Sequence, residues 1–283
     1  MGDAPITPVL PPWKLKGTMY IVTFWSKAGN LPEHTYSPLE RESAYASPTP
    51  SGKHLGGISQ TLVIRYTESP VGPYDELLVC PGYYSYEKEE GGKRKTKRNA
   101  RISRIYVSQK YTCWNGRTNW NIPKHLARFE FEELAGGTTR VHVYPNDTAG
   151  DASESRPNSV PFFQATFQPM SWVPSFPVSL SWMKYVGFDA SLVQPPLPSG
   201  PSSQGELPGT DRWCKITPRI KSRYARLAWA DLSQKNEQGV PATTVKDENF
   251  WPDIGRWQLA VVLDNADIDF GEGTHWETPN SML

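Results

Sequence analysis

The 283-residue chain has little cysteine, no long apolar run and almost no net charge, and each shortage excludes something. Cys80, Cys113 and Cys214 are an odd number, lie far apart and form no CxxC pair. They predict neither a disulfide framework nor a zinc site, and they suit a reducing, cytoplasmic compartment. No stretch approaches the roughly 18 consecutive apolar residues of a membrane helix. The opening "MGDAPITPVLPPWKLKG" lacks a basic segment followed by an apolar one, so it does not read as a secretory signal. The final "SML" is only a loose relative of the peroxisomal tripeptide, without its basic middle residue. Thirty Lys and Arg against 29 Asp and Glu leave +1, which gives no general attraction to nucleic acid or to an anionic membrane. No GxSxG, GxGxxG or P-loop occurs, and the five histidines show no metal-ligand spacing. Neither a cofactor nor a metal is expected.

Proline, glycine and aromatic residues are abundant: 27 Pro, 22 Gly, 11 Trp, 13 Tyr and 10 Phe. Pro and Gly interrupt helices, while aromatic and β-branched residues suit a pleated surface. Strands are expected at "KGTMYIVTFW", "SQTLVIRYTE", "DELLVCPGYY", "RISRIYVS", "PFFQATFQP", "RYARLAWADL" and "RWQLAVVLD". "ARFEFEEL" and "TTRVHVYP" alternate on either side of a Gly-bearing turn and read as a hairpin. Residues 1–15 are Pro-rich and are expected to form a surface arm. Residues 87–98, a charged run around Gly91-Gly92, are expected as a solvated loop at a hairpin tip, and residues 194–209 as a second loop. With no αβ alternation, residues 1–283 read as one mainly β domain, an antiparallel sheet closed as a barrel or sandwich with a few short helices.

Candidate chemistry narrows to carboxylates and lysines. In "GPYDELL", Asp75 and Glu76 are strand neighbours, so one of the two should face inward, where a carboxylate can serve as acid or base. A turn aspartate beside an edge glutamate is the competing reading. In "NGRTNWNIPKHL", Lys124 follows Pro123 and lies among Trp120, Ile122 and Leu126. Pro123 either opens a short helix capped by Asn121 or fixes the start of the next strand. A free lysine is only about one part in 2500 neutral at pH 7, so a nucleophilic role calls for a change in its environment. An apolar pocket or a nearby cation supplies such a change. His125 and Arg117 are the local cations, and the tryptophans are the candidate walls.

Together these segments resemble the acetoacetate decarboxylase family. "GRTNWNIPKHLA" is similar to its Schiff-base lysine segment, "RISRIYVSQKYTCWN" to the strand and helix before it, and "GPYDELL" to the segment with its catalytic glutamate. The resemblance implies a cone-like closed antiparallel β-barrel with a hydrophobic central cavity. It gives Lys124 the Schiff-base role as a barrel-facing nucleophile, Glu76 the acid/base role, and His125 the place of a second lysine. A histidine carries only a fractional charge at pH 7, so activation of Lys124 is expected to rest more on desolvation. Where the family holds its substrate's carboxylate with an arginine, this chain has Phe24 and Trp25, which points away from acetoacetate and toward a larger apolar substrate.

The expectation is therefore a cofactor-independent lyase of secondary metabolism that acts through Lys124 on an apolar small-molecule carbonyl compound. β-Keto acid decarboxylation and aldol or dehydration chemistry are both open. Phe24, Trp25, Tyr74, Trp114, Arg117 and Trp120 are the expected substrate-binding residues, and a homo-oligomer is compatible with the family. Alternatives are a non-covalent cyclase or isomerase, a carrier of a hydrophobic intermediate, and, more remotely, RNA binding through residues 93–98.

Overall fold

The computed structural model describes residues 6–29, 31–146, 161–181, 189–202, 204–234, 251–252 and 254–277. The C-terminal tripeptide lies outside these residues, as does most of residues 146–160. Two long antiparallel strands, β1 (Trp13–Ser26) and β2 (Lys53–Glu68), form the spine of the structure. Around them run β3 (Tyr74–Cys80), β6 (Arg104–Val107), β7 (Lys124–Glu133), β8 (Thr139–Pro145), β9 (Phe163–Pro169), β13 (Arg219–Asp231) and β14 (Gln258–Phe270). The hydrogen-bonded order is β1-β14-β13-β9-β8-β7-β6-β3-β2, and β2 pairs with β1 to close a nine-stranded barrel. Closure leaves these strands without an open edge.

A second set comprises β4 (Tyr83–Glu90), β5 (Lys93–Ala100), β11 (Leu192–Gln194), β12 (Arg212–Ile216) and β15 (Thr274–Glu277), joined to the barrel where β4 pairs with the start of β2. The short β10 (Phe176–Ser179) flanks β13. Two short helical turns, α1 (Pro38–Arg41) and α2 (Pro48–Ser51), precede β2, and the longer helix α3 (Lys110–Trp120) joins β6 to β7.

The closed barrel expected from the sequence is present, with one parallel pair, β6–β7. α3 is the reason: a helical crossover returns the chain in the same direction, whereas a tight turn would reverse it. Asn121 adopts a left-handed conformation (φ 54°, ψ 30°) and closes the C-terminus of α3, so Pro123 begins no helix and instead leads directly into β7. Two expected boundaries move. Trp13 and Leu15 are buried core residues of β1 and not part of a surface arm. Residues 87–98 are mostly strand, because Gly91 and Gly92 both take positive φ (63° and 70°), the geometry of a two-residue hairpin turn. Their charges pair across the hairpin, with Lys97 2.8 Å from Glu90.

Alternation along the shared wall supplies two separate cores. Tyr20, Val22, Val63, Leu77, Ala228 and Val262 belong to the core inside the barrel. Across that interior Tyr20 of β1 meets Phe167 of β9, ring centroids 4.7 Å apart. The opposite face of the same strands presents Met19, Leu62, Ile64, Leu78 and Ile268 to a second core, completed by α3 and by Cys214 and Ile216 at β12. This second compartment holds the candidate site.

Candidate active site

Register places two chemically active side chains on one face of the wall. Glu76 of β3 lies opposite Val107 of β6, and Lys124 at the start of β7 lies opposite Ile105 on the other side of β6. Ile105 and Val107 are two residues apart, so Lys124 and Glu76 flank β6 on the same face, two strand spacings and two residues apart, or about 12 Å at the backbone. Their side chains close that gap, bringing Lys124 Nζ to 2.9 Å from Glu76 Oε2, with both residues buried. Asp75, one residue away, faces outward and lies 3.7 Å from Arg65. The alternation argument therefore selects Glu76 as the inward carboxylate.

Lys124 Nζ also donates to Thr112 Oγ1 at 2.9 Å and sits 5.1 Å from the centre of the Tyr74 ring. The Tyr66 hydroxyl donates to Glu76 Oε1 at 3.1 Å. Thr112 and Tyr66 escape sequence reasoning because their roles arise from α3 lying over the wall and from the β2–β3 register. The only sequence signal for Tyr66 is its place in the even-numbered series Leu62, Ile64, Tyr66. α3 can approach this closely because residue 116 is glycine. A Cβ there would fall 2.6 Å from Lys124 Cδ and 2.8 Å from Cε.

Burial is the largest influence on Lys124 and pulls its pKa down, but the Glu76 carboxylate, Tyr74 and Cys113 outweigh it. The net direction is upward, so in the paired state desolvation does not by itself bring the Lys124 pKa down. Burial pushes the Tyr74 hydroxyl up to about 12 despite the adjacent ammonium, and it raises Tyr66 well above the usual tyrosine range with help from Glu76. The resting site is thus a buried ammonium–carboxylate pair flanked by neutral phenols.

Below this pair extends an apolar cavity of about 130 Å³. Glu76 and Tyr66 border its inner end, and Met19, Leu62, Ile64 and Leu78 form much of its wall. Lys124 stands behind Glu76 and does not border the cavity. It points into this second compartment and not into the core of the nine-stranded barrel, because alternation along β7 puts His125 and Ala127 on the opposite face, and Ala127 packs inside while Leu126 joins the second core.

The other sequence candidates occupy different places. His125 faces away from Lys124 and contacts Glu40 Oε2 at 2.6 Å, so it does not stand in for a second active-site lysine. Arg117 is fully buried and committed, donating to Glu40 Oε1 (3.0 Å) and to the carbonyls of Lys124 (3.1 Å), Pro208 (3.0 Å) and Pro198 (2.6 Å). It positions the Lys124 backbone and offers no donor to a substrate. Glu40, missed in the sequence, ties His125 and Arg117 together. Burial raises its pKa, yet those two partners bring it below the usual carboxylate value. Trp120 packs edge-on against Trp13 and touches Phe270, one layer behind the cavity wall, and Trp114 is half-buried on α3 away from the lining. Phe24 packs on Trp251 and Trp25 is 73 % exposed, so neither reaches the pair. Tyr74 is the one expected binding residue that joins it.

Among the described residues no cluster of His, Cys, Asp and Glu could hold a metal, and no helix is long and apolar enough to cross a membrane. No family model and no curated protein matches the chain. Solved structures do. Acetoacetate decarboxylase from Legionella pneumophila subsp. pneumophila str. Philadelphia 1 aligns over 98 % of this chain and 92 % of its own, at 13 % identity and a TM-score of 0.55. A second acetoacetate decarboxylase structure aligns over 97 % and 92 % (12 %, 0.52), and an acetoacetate decarboxylase-like enzyme from Sphingomonas wittichii RW1 over 95 % and 94 % (10 %, 0.53). Over nearly its whole length, the chain has the acetoacetate decarboxylase-like fold.

Proposed function

We propose that the protein is a cofactor-independent lyase that forms a Schiff base between Lys124 and a small apolar carbonyl compound, with Glu76 moving the protons. The observation that carries this reading is the buried 2.9 Å contact between Lys124 Nζ and Glu76 at the end of an apolar cavity. A nucleophilic lysine must be neutral, and the pair reaches that form internally. Transfer of one proton along the contact leaves an amine and a carboxylic acid, and it removes separated charge from apolar surroundings. Glu76 then returns the proton to the departing carbonyl oxygen, which leaves as water while the iminium forms. The carboxylate so regenerated sits beside the iminium, where it can take a proton from the α-carbon. Thr112 and Tyr66 hold the two groups in place, and the buried Tyr74 ring lies against the Lys124 amine.

The three buried, unpaired thiols support a reducing, cytoplasmic setting. A cavity of about 130 Å³ is close to the roughly 150 Å³ that accommodates benzene, which favours a small substrate over a large one. The test is α-proton exchange of butan-2-one in D2O, followed by NMR. The chain should accelerate exchange and Lys124→Met should abolish it, while exchange at the parental rate in Lys124→Met would overturn the reading.

A second reading has its own support, because Glu76 borders the cavity and Lys124 does not. In it, Glu76 is the sole base for an isomerisation or cyclisation, and Lys124 is its buried counterion. Loss of turnover in Glu76→Gln together with its retention in Lys124→Met would select this reading.

A further inference from the structure

We infer that the cavity beside Glu76 takes an uncharged carbonyl compound, so that the iminium chemistry proposed above, on which this inference rests, runs through proton transfer at the α-carbon and not through loss of CO2. The polar groups bordering the cavity are Glu76, Gln60, Asp189 and the phenols of Tyr66 and Tyr83. Among the described residues no lysine or arginine borders it. Its charged groups are therefore carboxylates, one at each end of an aliphatic passage.

Position along β2 gives the passage its length. Ile64 pairs with Glu76, and Gln60 pairs with Cys80. The four-residue step between Ile64 and Gln60 corresponds to about 13 Å of strand. A keto acid with its carbonyl carbon at Lys124 would place its carboxylate at the inner end of this passage, among Leu62, Ile64 and Leu78, where the neighbouring donor, the Tyr66 hydroxyl, is already given to Glu76. An unpaired buried carboxylate is strongly disfavoured, and here it would also face the charge of Glu76.

Among the described residues no unmatched cation borders the cavity to relieve that cost. The charge of Lys124 is matched by Glu76 at 2.9 Å. All the acceptors of Arg117 come from Glu40 and three backbone carbonyls. Arg98 stacks on Tyr83 at 4.1 Å without bordering the cavity, and Lys215 acts on Asp189, whose oxygens already accept from Asn99 and Ser191. A carbonyl compound with no charge meets none of these penalties.

Without a carboxylate on the substrate there is no CO2 to lose, and the chemistry left to the iminium starts with deprotonation, the step that aldol and dehydration reactions share with simple α-proton exchange. Glu76 takes a proton from the α-carbon, the C–H electron pair becomes the C=C bond of an enamine, and the C=N π pair returns to nitrogen. Return of that proton and addition of water release the carbonyl compound and restore the Lys124–Glu76 pair.

The test compares butane-2,3-dione with pyruvate, which differ by a methyl group in place of a carboxylate oxygen. Occupancy of the full-length protein is read by saturation-transfer NMR, and covalent capture by borohydride reduction and peptide mass spectrometry. The diketone should bind at least roughly 100-fold more tightly than pyruvate. Equal or tighter pyruvate binding would overturn the inference, and so would failure of both compounds to bind. A bound diketone that leaves no adduct on Lys124 would count against the Schiff-base reading alone, since occupancy by the neutral compound still supports the charge preference.

Discussion

Replacing Gly116 by alanine separates the positioning of Lys124 from the stability of the fold. The new methyl would lie 2.6 Å from Lys124 Cδ, 2.8 Å from Cε and 3.4 Å from Cγ, so one partner must move. The helix has good reason to stay, because Arg117 on its next residue is held by four oxygen acceptors. The lysine chain is the softer partner, and it can swing only by giving up its 2.9 Å contacts to Glu76 and Thr112. Gly116 does not occupy the left-handed region, so alanine adds no backbone strain and gains about 1 kcal/mol in helix propensity. Overpacking costs roughly 1–3 kcal/mol, which leaves net stability within about 2 kcal/mol of the parent. Activity is expected to suffer far more, since a misplacement near 1 Å costs about 100-fold. Urea unfolding gives the first quantity, and the initial rate of borohydride-dependent adduct formation on Lys124 gives the second. A folded Gly116→Ala protein that forms the adduct at the parental rate would refute the claim that α3 and the lysine compete for this space.

Three further outcomes follow from the same contacts. Glu76→Gln strands a buried ammonium and should lower stability by about 3 kcal/mol at pH 7, whereas Glu76→Leu combined with Lys124→Met should recover most of that loss in urea melts. Arg117→Met leaves Glu40 and three carbonyls short of donors and should cost more than about 4 kcal/mol, read as loss of soluble, cooperatively melting protein, although Arg117 touches no substrate. Stability should also fall as the pH climbs above about 10. The unfolded chain ionises Tyr74 near 10 whereas the folded chain holds it protonated to about 12, and the Lys124 contribution, complete below the ordinary lysine value, disappears as pH passes its raised one. Urea midpoints measured from about pH 8 to 11 should decline, and Tyr74→Phe should make the decline shallower.

Much of the fold was legible because strands with one buried face alternate, as "ARFEFEEL" and "TTRVHVYP" do. Gly91-Gly92 likewise marks its own hairpin through positive φ. The parallel β6–β7 pair was less legible, since α3 has no strong apolar stripe and buries Thr112, Asn115 and Arg117 among its contacts. Strand parity selected Glu76 over Asp75, and the Pro-Lys motif singled out Lys124. Parity also decides His125, which as the neighbour of Lys124 in β7 must face the other way, and does. Glu40 and Thr112 could not be found from sequence spacing. Glu40 lies 77 residues from Arg117 and 85 from His125, and Thr112 meets Lys124 only once α3 has folded over the wall. Tryptophans misled for a plain physical reason: a large aromatic ring serves a core as readily as a pocket, and Trp13 and Trp120 serve the core.

The central claim is that Lys124, although buried and ion-paired, is the amine that reacts. Treating the full-length protein with butan-2-one and borohydride, then locating the adduct by peptide mass spectrometry, tests it most directly. The expected result is one adduct, on the peptide containing Lys124, that disappears in Lys124→Arg. Labelling confined to exposed lysines such as Lys93 and Lys95, with Lys124 unmodified, would contradict it.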